Sequence, residues 1–367
     1  MNSSQNKSYV VYIGSHTDLN NCKGITIYDV DVEHGDLKKR GEVEVSNASY
    51  LTTSPDKKYL YSITDKGVAS FRILPDGNLK RLNTGAIRGM RGCHISTTSD
   101  NKFLFVSGYH DGKITVLRIN DDGSVGAITD GIFHKGLGSV AERNYRPRIR
   151  CAQLTPDEKF LCVVDGGIDQ VKFYELNKND GTLKYCDTMR CKRQTGPRRL
   201  MFSSDGRFAY MIRELSNTIS VYAYDGSGKV PVLDKLQFIS TLGDKYSSYS
   251  AAVALHFSPD ERYILCTNAG DNSVGLFKRD PETGLLTRTG VLPISGRYPM
   301  DVCVFPDDKH LFCANYDSNS ITFFKMDYEK GLIVMTRAPQ YIDQPKCALM
   351  VELSGEDAQE ESTAENE

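Results

Sequence analysis

The chain has 367 residues, of which 40% are hydrophobic, 25% are charged and 31 are glycine, a balance that excludes the disordered and fibrous classes. A formal net charge of −2 supplies no overall field toward nucleic acid or an anionic membrane, and no apolar run is long enough to span a bilayer. The ten cysteines are scattered without a CxxC pair. Several (Cys162, Cys266, Cys303, Cys313) sit in apolar runs, where a thiol behaves as a small hydrophobe. With no secretory h-region at the start, a cytoplasmic protein is expected.

Residues 9–45 (YVVYIGSH, GITIYDV, KRGEVEV) read as three strands. A repeat then begins. A short turn recurs as Ser54-Pro55-Asp56, Thr98-Ser99-Asp100, Thr155-Pro156-Asp157, Ser203-Ser204-Asp205, Ser258-Pro259-Asp260 and Phe305-Pro306-Asp307, at intervals of 44–57 residues. An apolar, β-prone run follows each copy, such as Phe160-Leu161-Cys162-Val163-Val164 or Tyr263-Ile264-Leu265-Cys266. Next comes a turn rich in Asp, Asn and Gly (Ala269-Gly270-Asp271-Asn272, Tyr316-Asp317-Ser318-Asn319), then a second apolar strand, a third turn and a more polar strand. Antiparallel four-stranded sheets repeated at this period, with middle strands apolar on both faces, stack radially.

Six copies carry the full signature. The three N-terminal strands and one C-terminal strand at residues 346–352 (KCALMVE) make a seventh. The expected fold is therefore all-β: a seven-bladed β-propeller of four-stranded antiparallel blades, closed by N- and C-terminal strands sharing one blade, which removes exposed sheet edges. Residues 1–353 form this single domain. Residues 354–367 (SGEDAQEESTAENE) read as an acidic, disordered tail.

Across most of that domain the sequence resembles the lactonase family of seven-bladed propellers, which includes one type of 6-phosphogluconolactonase and the fungal carboxymuconate lactonizing enzymes. The resemblance rests on Tyr12-Ile13-Gly14, Pro55-Asp56-Lys57-Lys58-Tyr59-Leu60-Tyr61, Cys93-His94, Gly196-Pro197-Arg198 followed by Glu214-Leu215, and Ala314-Asn315 with Asp317-Ser318-Asn319-Ser320. It implies that Arg198 and Glu214 belong to the active site, and His94 matches the family's Cys-His. Where many members read Pro-His-x-His and Gly-Pro-Arg-His, this chain has Pro147-Arg148-Ile149-Arg150 and Gly196-Pro197-Arg198-Arg199. Three imidazoles are thus replaced by permanent cations, which bind anions but do not shuttle protons near neutral pH. Ala254, Ala269 and Met300 stand where the family pattern leads one to expect an acidic residue and two arginines.

Aligning the strands that lead into the Pro-Asp turns puts Tyr50, His94, Cys151, Arg199, Ala254 and Asp301 in one column and Arg150, Arg198 and Met300 in the next. Arg91, Arg146, Arg148, Arg150, Arg198 and Arg199 then converge on one channel mouth. Planar guanidinium forks suit phosphate and carboxylate, so the expected partner is a small anionic substrate, a sugar lactone bearing phosphate or carboxylate. A solvated basic rim, or arginines locked to Asp and Glu of neighbouring blades, is the plainer alternative for any single arginine. Glu214 is expected to take a proton from water, alone or with His94, or else to form an ion pair with Arg213 or Arg198 that orders a loop. His94 is otherwise a packed histidine bonded to a backbone carbonyl, and His256 a structural one. His16 and His110 carry no further signal. Two other functions remain open: a carboxymuconate-type cycloisomerase, and a non-catalytic propeller that binds an acidic ligand. No cofactor or metal is called for, no nucleic-acid or membrane partner is expected, and a monomer or weak homo-oligomer suffices.

Overall fold

The computed structural model describes residues 7–18, 22–139, 144–246 and 248–353. The acidic tail expected over residues 354–367 lies outside the described residues. Among those described, every regular element is a β-strand, and the strands form seven antiparallel sheets. The inner strands are Leu51–Thr53, Gly92–Thr97, Ile149–Leu154, Pro197–Phe202, Ala251–Phe257 and Pro299–Val304 for blades 1 to 6, and Pro345–Leu353 for blade 7. Each touches the inner strands of the blades before and after it, so the ring closes in chain order.

In blades 1 to 6 the repeated turn joins the inner strand to the second strand of the same blade. Its Ser or Thr hydroxyl donates to the Asp carboxylate, as in Thr155–Asp157 at 2.6 Å and Ser258–Asp260 at 2.6 Å. The same carboxylate accepts the amide two residues on, at 3.2 Å from Lys159 and 3.0 Å from Arg262. The intervening residue takes a left-handed backbone, with φ of 53° at Glu158 and 55° at Glu261. That conformation is unfavourable for a side chain with a Cβ, and the local hydrogen bonds offset its cost.

Second strands are the most buried. Phe103–Gly108, Phe160–Asp165, Phe208–Arg213 and Tyr263–Ala269 have no exposed residue, because neighbouring blades cover both faces. Tyrosines staple one blade to the next: Tyr12, Tyr61 and Tyr210 donate to the carbonyls of Gly77, Gly123 and Gly284. Outer strands such as Leu183–Arg190 are largely exposed.

In blade 7, Pro345–Leu353 pairs antiparallel with Ser8–Ser15, Val10 opposite Val351 and Tyr12 opposite Leu349, and Gly24–Asp31 and Asp36–Glu44 complete the sheet. Blade 6 departs from four plain strands. Its outer edge is broken into Leu332–Met335 and Gln340–Tyr341, with Pro339, which has no amide to donate to a ladder, in the gap.

Candidate active site

The inner strands share a defect that builds the site. In six blades the ladder between inner and second strand slips near the channel mouth. The slip leaves Cys93, Arg150, Arg198, Met300 and Lys346 each without a partner, and in blade 5 both Val253 and Ala254. A bulge re-aims the residue it releases, and all of these side chains line one cavity on the channel axis, with His94 and Arg199 beneath them.

Glu214 follows the second strand of blade 4. Its amide donates to the Gly196 carbonyl at 2.8 Å, which turns the side chain over the inner strand. Its carboxylate accepts from Arg198 Nη1 at 2.8 Å and pairs with Arg150 Nη2 from blade 3, with only 4% of the residue exposed. Arg213 points away, donating to the Tyr222 hydroxyl at 2.7 Å and stacking on Phe238.

The other predicted arginines occupy two tiers. Arg199 lies deep, its guanidinium 5.9 Å from the Tyr50 ring centroid. Arg150 and Arg148 both stack on Tyr109, at 4.1 and 4.7 Å, and Arg148 also donates to the Tyr145 hydroxyl at 3.1 Å. Arg146 is exposed over Tyr145, and Arg91 is ion-paired with Asp65 at 3.0 Å. His94, Arg150, Arg198 and Arg199 therefore share the cavity wall, whereas Arg91, Arg146 and Arg148 form a rim outside it.

Buried struts hold these loops. Asp165 accepts the Arg148 and Gly167 amides and pairs with His134 at 2.8 Å, both side chains having no exposed surface. Burial lowers the His134 pKa despite that carboxylate. Asp169 accepts three amides, from Gln194, Thr195 and Gly196. Gly196 itself has φ of +58°, and a Cβ there would stand 2.7 Å from Leu215 Cγ, so the turn into Pro197-Arg198 requires glycine.

His94 is 5% exposed, packed 4.6 Å from the Tyr50 ring, with Nε2 3.6 Å from Cys151 Sγ. The bond to a backbone carbonyl expected for a packed histidine is not made: Nδ1 has no hydrogen-bond partner. Burial, reinforced by Arg199, pushes its pKa down to about 3, so the ring is neutral at ordinary pH. At the far end of the channel His256 Nε2 meets Asp301 Oδ1 at 2.6 Å, and the Ala348 amide donates to Asp301 Oδ2 at 2.9 Å. Burial alone would raise the Asp301 pKa, but His256 and Arg199 hold it low.

Sequence reasoning missed Lys346 and the tyrosine platform of Tyr109 and Tyr145. Lys346 was findable: extending the column of Arg150, Arg198 and Met300 to the closing strand reaches it. His16 and His110 also belong to the mouth. Burial first, then nearby cations (Lys346 and Arg91 for His16; Arg91, Arg148 and Arg146 for His110), lowers both pKa values, that of His16 to about 4. Among the described residues no group of three His, Cys, Asp or Glu side chains is placed to hold a metal ion, and no helix is long and apolar enough to cross a membrane.

A family profile described as "Lactonase, 7-bladed beta-propeller" matches residues 10–350. A 6-phosphogluconolactonase of Bacillus subtilis is 29% identical over 299 residues, covering 80% of this chain and 84% of that protein. One from Formosa agariphila is 29% identical over 307 residues, covering 80% and 86%. Among solved structures, a periplasmic gluconolactonase of Pseudomonas aeruginosa superposes with a TM-score of 0.88 at 27% identity, covering 95% of this chain and all of that one.

Proposed function

The chain belongs to the lactonase family of seven-bladed β-propellers, and from that premise we propose that it hydrolyses a sugar lactone carrying an anionic group, with 6-phosphogluconolactone as the leading substrate. The observation that carries this reading is the Glu214 carboxylate held between Arg150 and Arg198 on the cavity wall. It combines a proton acceptor with cations positioned for developing negative charge.

A lactone is an activated ester and needs modest help: a positioned water, a base and oxyanion stabilisation. Glu214 takes a proton as water attacks the carbonyl carbon. Arg198 faces the lactone carbonyl oxygen and balances its growing charge. The ring C–O bond then breaks, and the departing oxygen takes the proton from Glu214 to become a hydroxyl. Arg148, Arg150 and Arg199 attract the substrate's anionic end, while Arg91 and Arg146 draw anions to the mouth. His94, neutral at pH 7, serves as a hydrogen-bonding group in the floor and not as the base.

The cycloisomerase alternative needs an acid that protonates carbon, and a histidine with a pKa of about 3 is not an imidazolium at neutral pH. The ten free cysteines favour a reducing compartment, and we place the protein in the cytoplasm.

The test is lactone opening by purified protein, corrected for spontaneous hydrolysis. Glu214→Gln should lower turnover by roughly 10²–10⁴ without raising KM, since it frees two guanidiniums for the substrate. Unchanged turnover removes Glu214 from the mechanism. Saturable binding of phosphorylated sugars with no acid release by the wild type favours the non-catalytic propeller.

A further inference from the structure

The closing strand brings to the cavity a cation that neither the family motif nor the arginine pattern contains. Lys346 is the residue released by the bulge in Pro345–Leu353, where Gly14 pairs with Cys347 and Ser15 with Pro345. Because the blades follow one another in chain order around the ring, blade 7 stands across the channel from the boundary of blades 3 and 4. Lys346 therefore faces Arg150 and Arg198 over the cavity that all three line. It is half-buried, its ammonium 4.3 Å from the Tyr316 ring centroid. Among the described residues no carboxylate lies within ion-pair distance of it.

That last point separates it from its neighbours. Arg150 and Arg198 share the Glu214 carboxylate, and Arg91 is paired with Asp65. The Lys346 charge is not compensated in this way and so is free for a ligand.

We infer that Lys346 is a specificity-determining residue: its ammonium, opposite the Arg150–Arg198 pair, binds the phosphate monoester of the substrate and selects phosphorylated over unphosphorylated lactones. This assignment rests on the lactonase reading above and deepens it. Arg198 and Glu214 then handle the lactone ring, while the anionic end that Arg148, Arg150 and Arg199 attract is held by Lys346 on the far wall.

Facing Lys346 are Arg91 of blade 2, Arg150 of blade 3, Arg198 of blade 4 and Tyr316 of blade 6, with His16 and Cys347 in its own blade. Burial, then the three arginines, lowers its pKa to about 8. The pKa of His16 is lowered to about 4, that of Cys347 raised to about 12 and that of Tyr316 raised above its ordinary 10, and arginine does not titrate. Among these groups Lys346 alone changes charge between pH 6 and pH 9. The sign follows: the phosphate gains its second charge near pH 6, so binding is strongest between about pH 6 and pH 8 and weakens as the pH rises through 8.

The test compares wild type, Lys346→Gln and Lys346→Arg in two measurements. In turnover, the ratio of kcat/KM for 6-phosphogluconolactone to that for gluconolactone should fall by about 10–100-fold in Lys346→Gln, the size of one charged hydrogen bond. Lys346→Arg should restore it. In calorimetry, the Kd of the stable acid 6-phosphogluconate should rise about tenfold in wild type between pH 7 and pH 9 and stay flat in Lys346→Arg. An unchanged ratio in Lys346→Gln, or equal loss on both lactones, overturns the assignment. Absence of wild-type turnover on both lactones overturns the lactonase reading instead. The calorimetric arm then decides Lys346 by itself, and a Kd that does not differ between wild type and Lys346→Gln sinks it.

Discussion

Among the described residues, the Glu214 carboxylate answers to two guanidiniums from different blades. A buried ion pair adds little net stability, since the Coulombic gain is offset by desolvation, but removing one partner leaves the other charge stranded. The knot is therefore better understood as a device that holds a base and two cations in register than as a stabilising contact. His94 makes a different prediction. Its pKa is lowered from 6.5 to about 3 by burial, then by Arg199, so the unfolded chain binds a proton that the folded chain refuses. Stability is fully present above about pH 6.5 and is lost as the pH falls from there toward 3. His16, lowered to about 4, acts in the same direction, whereas Asp205, whose pKa drops to about 2 against burial because Ser203 and Arg207 bind it, acts only below about pH 4. Urea midpoints measured from pH 7 to pH 4 should decline, and His94→Gln should flatten that decline by close to one proton. A slope identical to wild type would mean the ring is protonated in the folded protein.

Between residue and ring lies the strand-connecting turn. In four successive blades an Asp or Asn in the left-handed region ends the second strand's turn, with φ of 51° at Asp169, 49° at Asn217, 56° at Asn272 and 49° at Asn319. Each then hydrogen-bonds the backbone that leads into the next blade's inner strand: Asp169 to Gly196, Asn217 to Ser250, Asn272 to Tyr298 and Asn319 to Gln344. These side chains tolerate that backbone and clamp the neighbouring loop at once. Asp169→Ala leaves three amides without their acceptor and should cost about 2–3 kcal/mol, read as a lower denaturation midpoint. It should also depress turnover, because the loosened loop carries Pro197-Arg198. Asn272→Ala, on a loop that carries no arginine of the cavity wall, should lose stability with a smaller effect on turnover. Equal effects on turnover would show that the clamp does not position Arg198. The Asp/Asn/Gly composition of these turns is visible in the sequence, but their partners are not, since each bond joins two blades.

At the scale of the whole molecule, stability depends on closing the ring. Pro345–Leu353 is the innermost strand of blade 7 and touches the inner strands of blades 1 and 6, so its removal opens the sheet edge of Ser8–Ser15 and both adjoining interfaces. A chain ending at residue 344 should lose cooperative unfolding and elute as aggregate. A monomeric species with a wild-type melting transition would show that closure is dispensable. The same strand delivers Lys346, so ring closure and completion of the cavity are one event. Seven blades, the shared closing blade and the buried middle strands were legible in the sequence, because turn chemistry and apolar patterning act over a few residues and repeat. Arg198 and Glu214 were legible as candidates through the family motif, and Arg150 and Arg199 through their register. The sequence left an ion pair of Glu214 with Arg213 or Arg198 as one of two alternatives, and could not say that Arg150 joins Arg198 there, that Arg91 is tied to Asp65, that His94 is too deeply buried to hold a proton, or that Lys346 faces the arginines across the channel. Each of these depends on distances and desolvation between residues far apart in the chain, and such quantities exist only once the ring has closed.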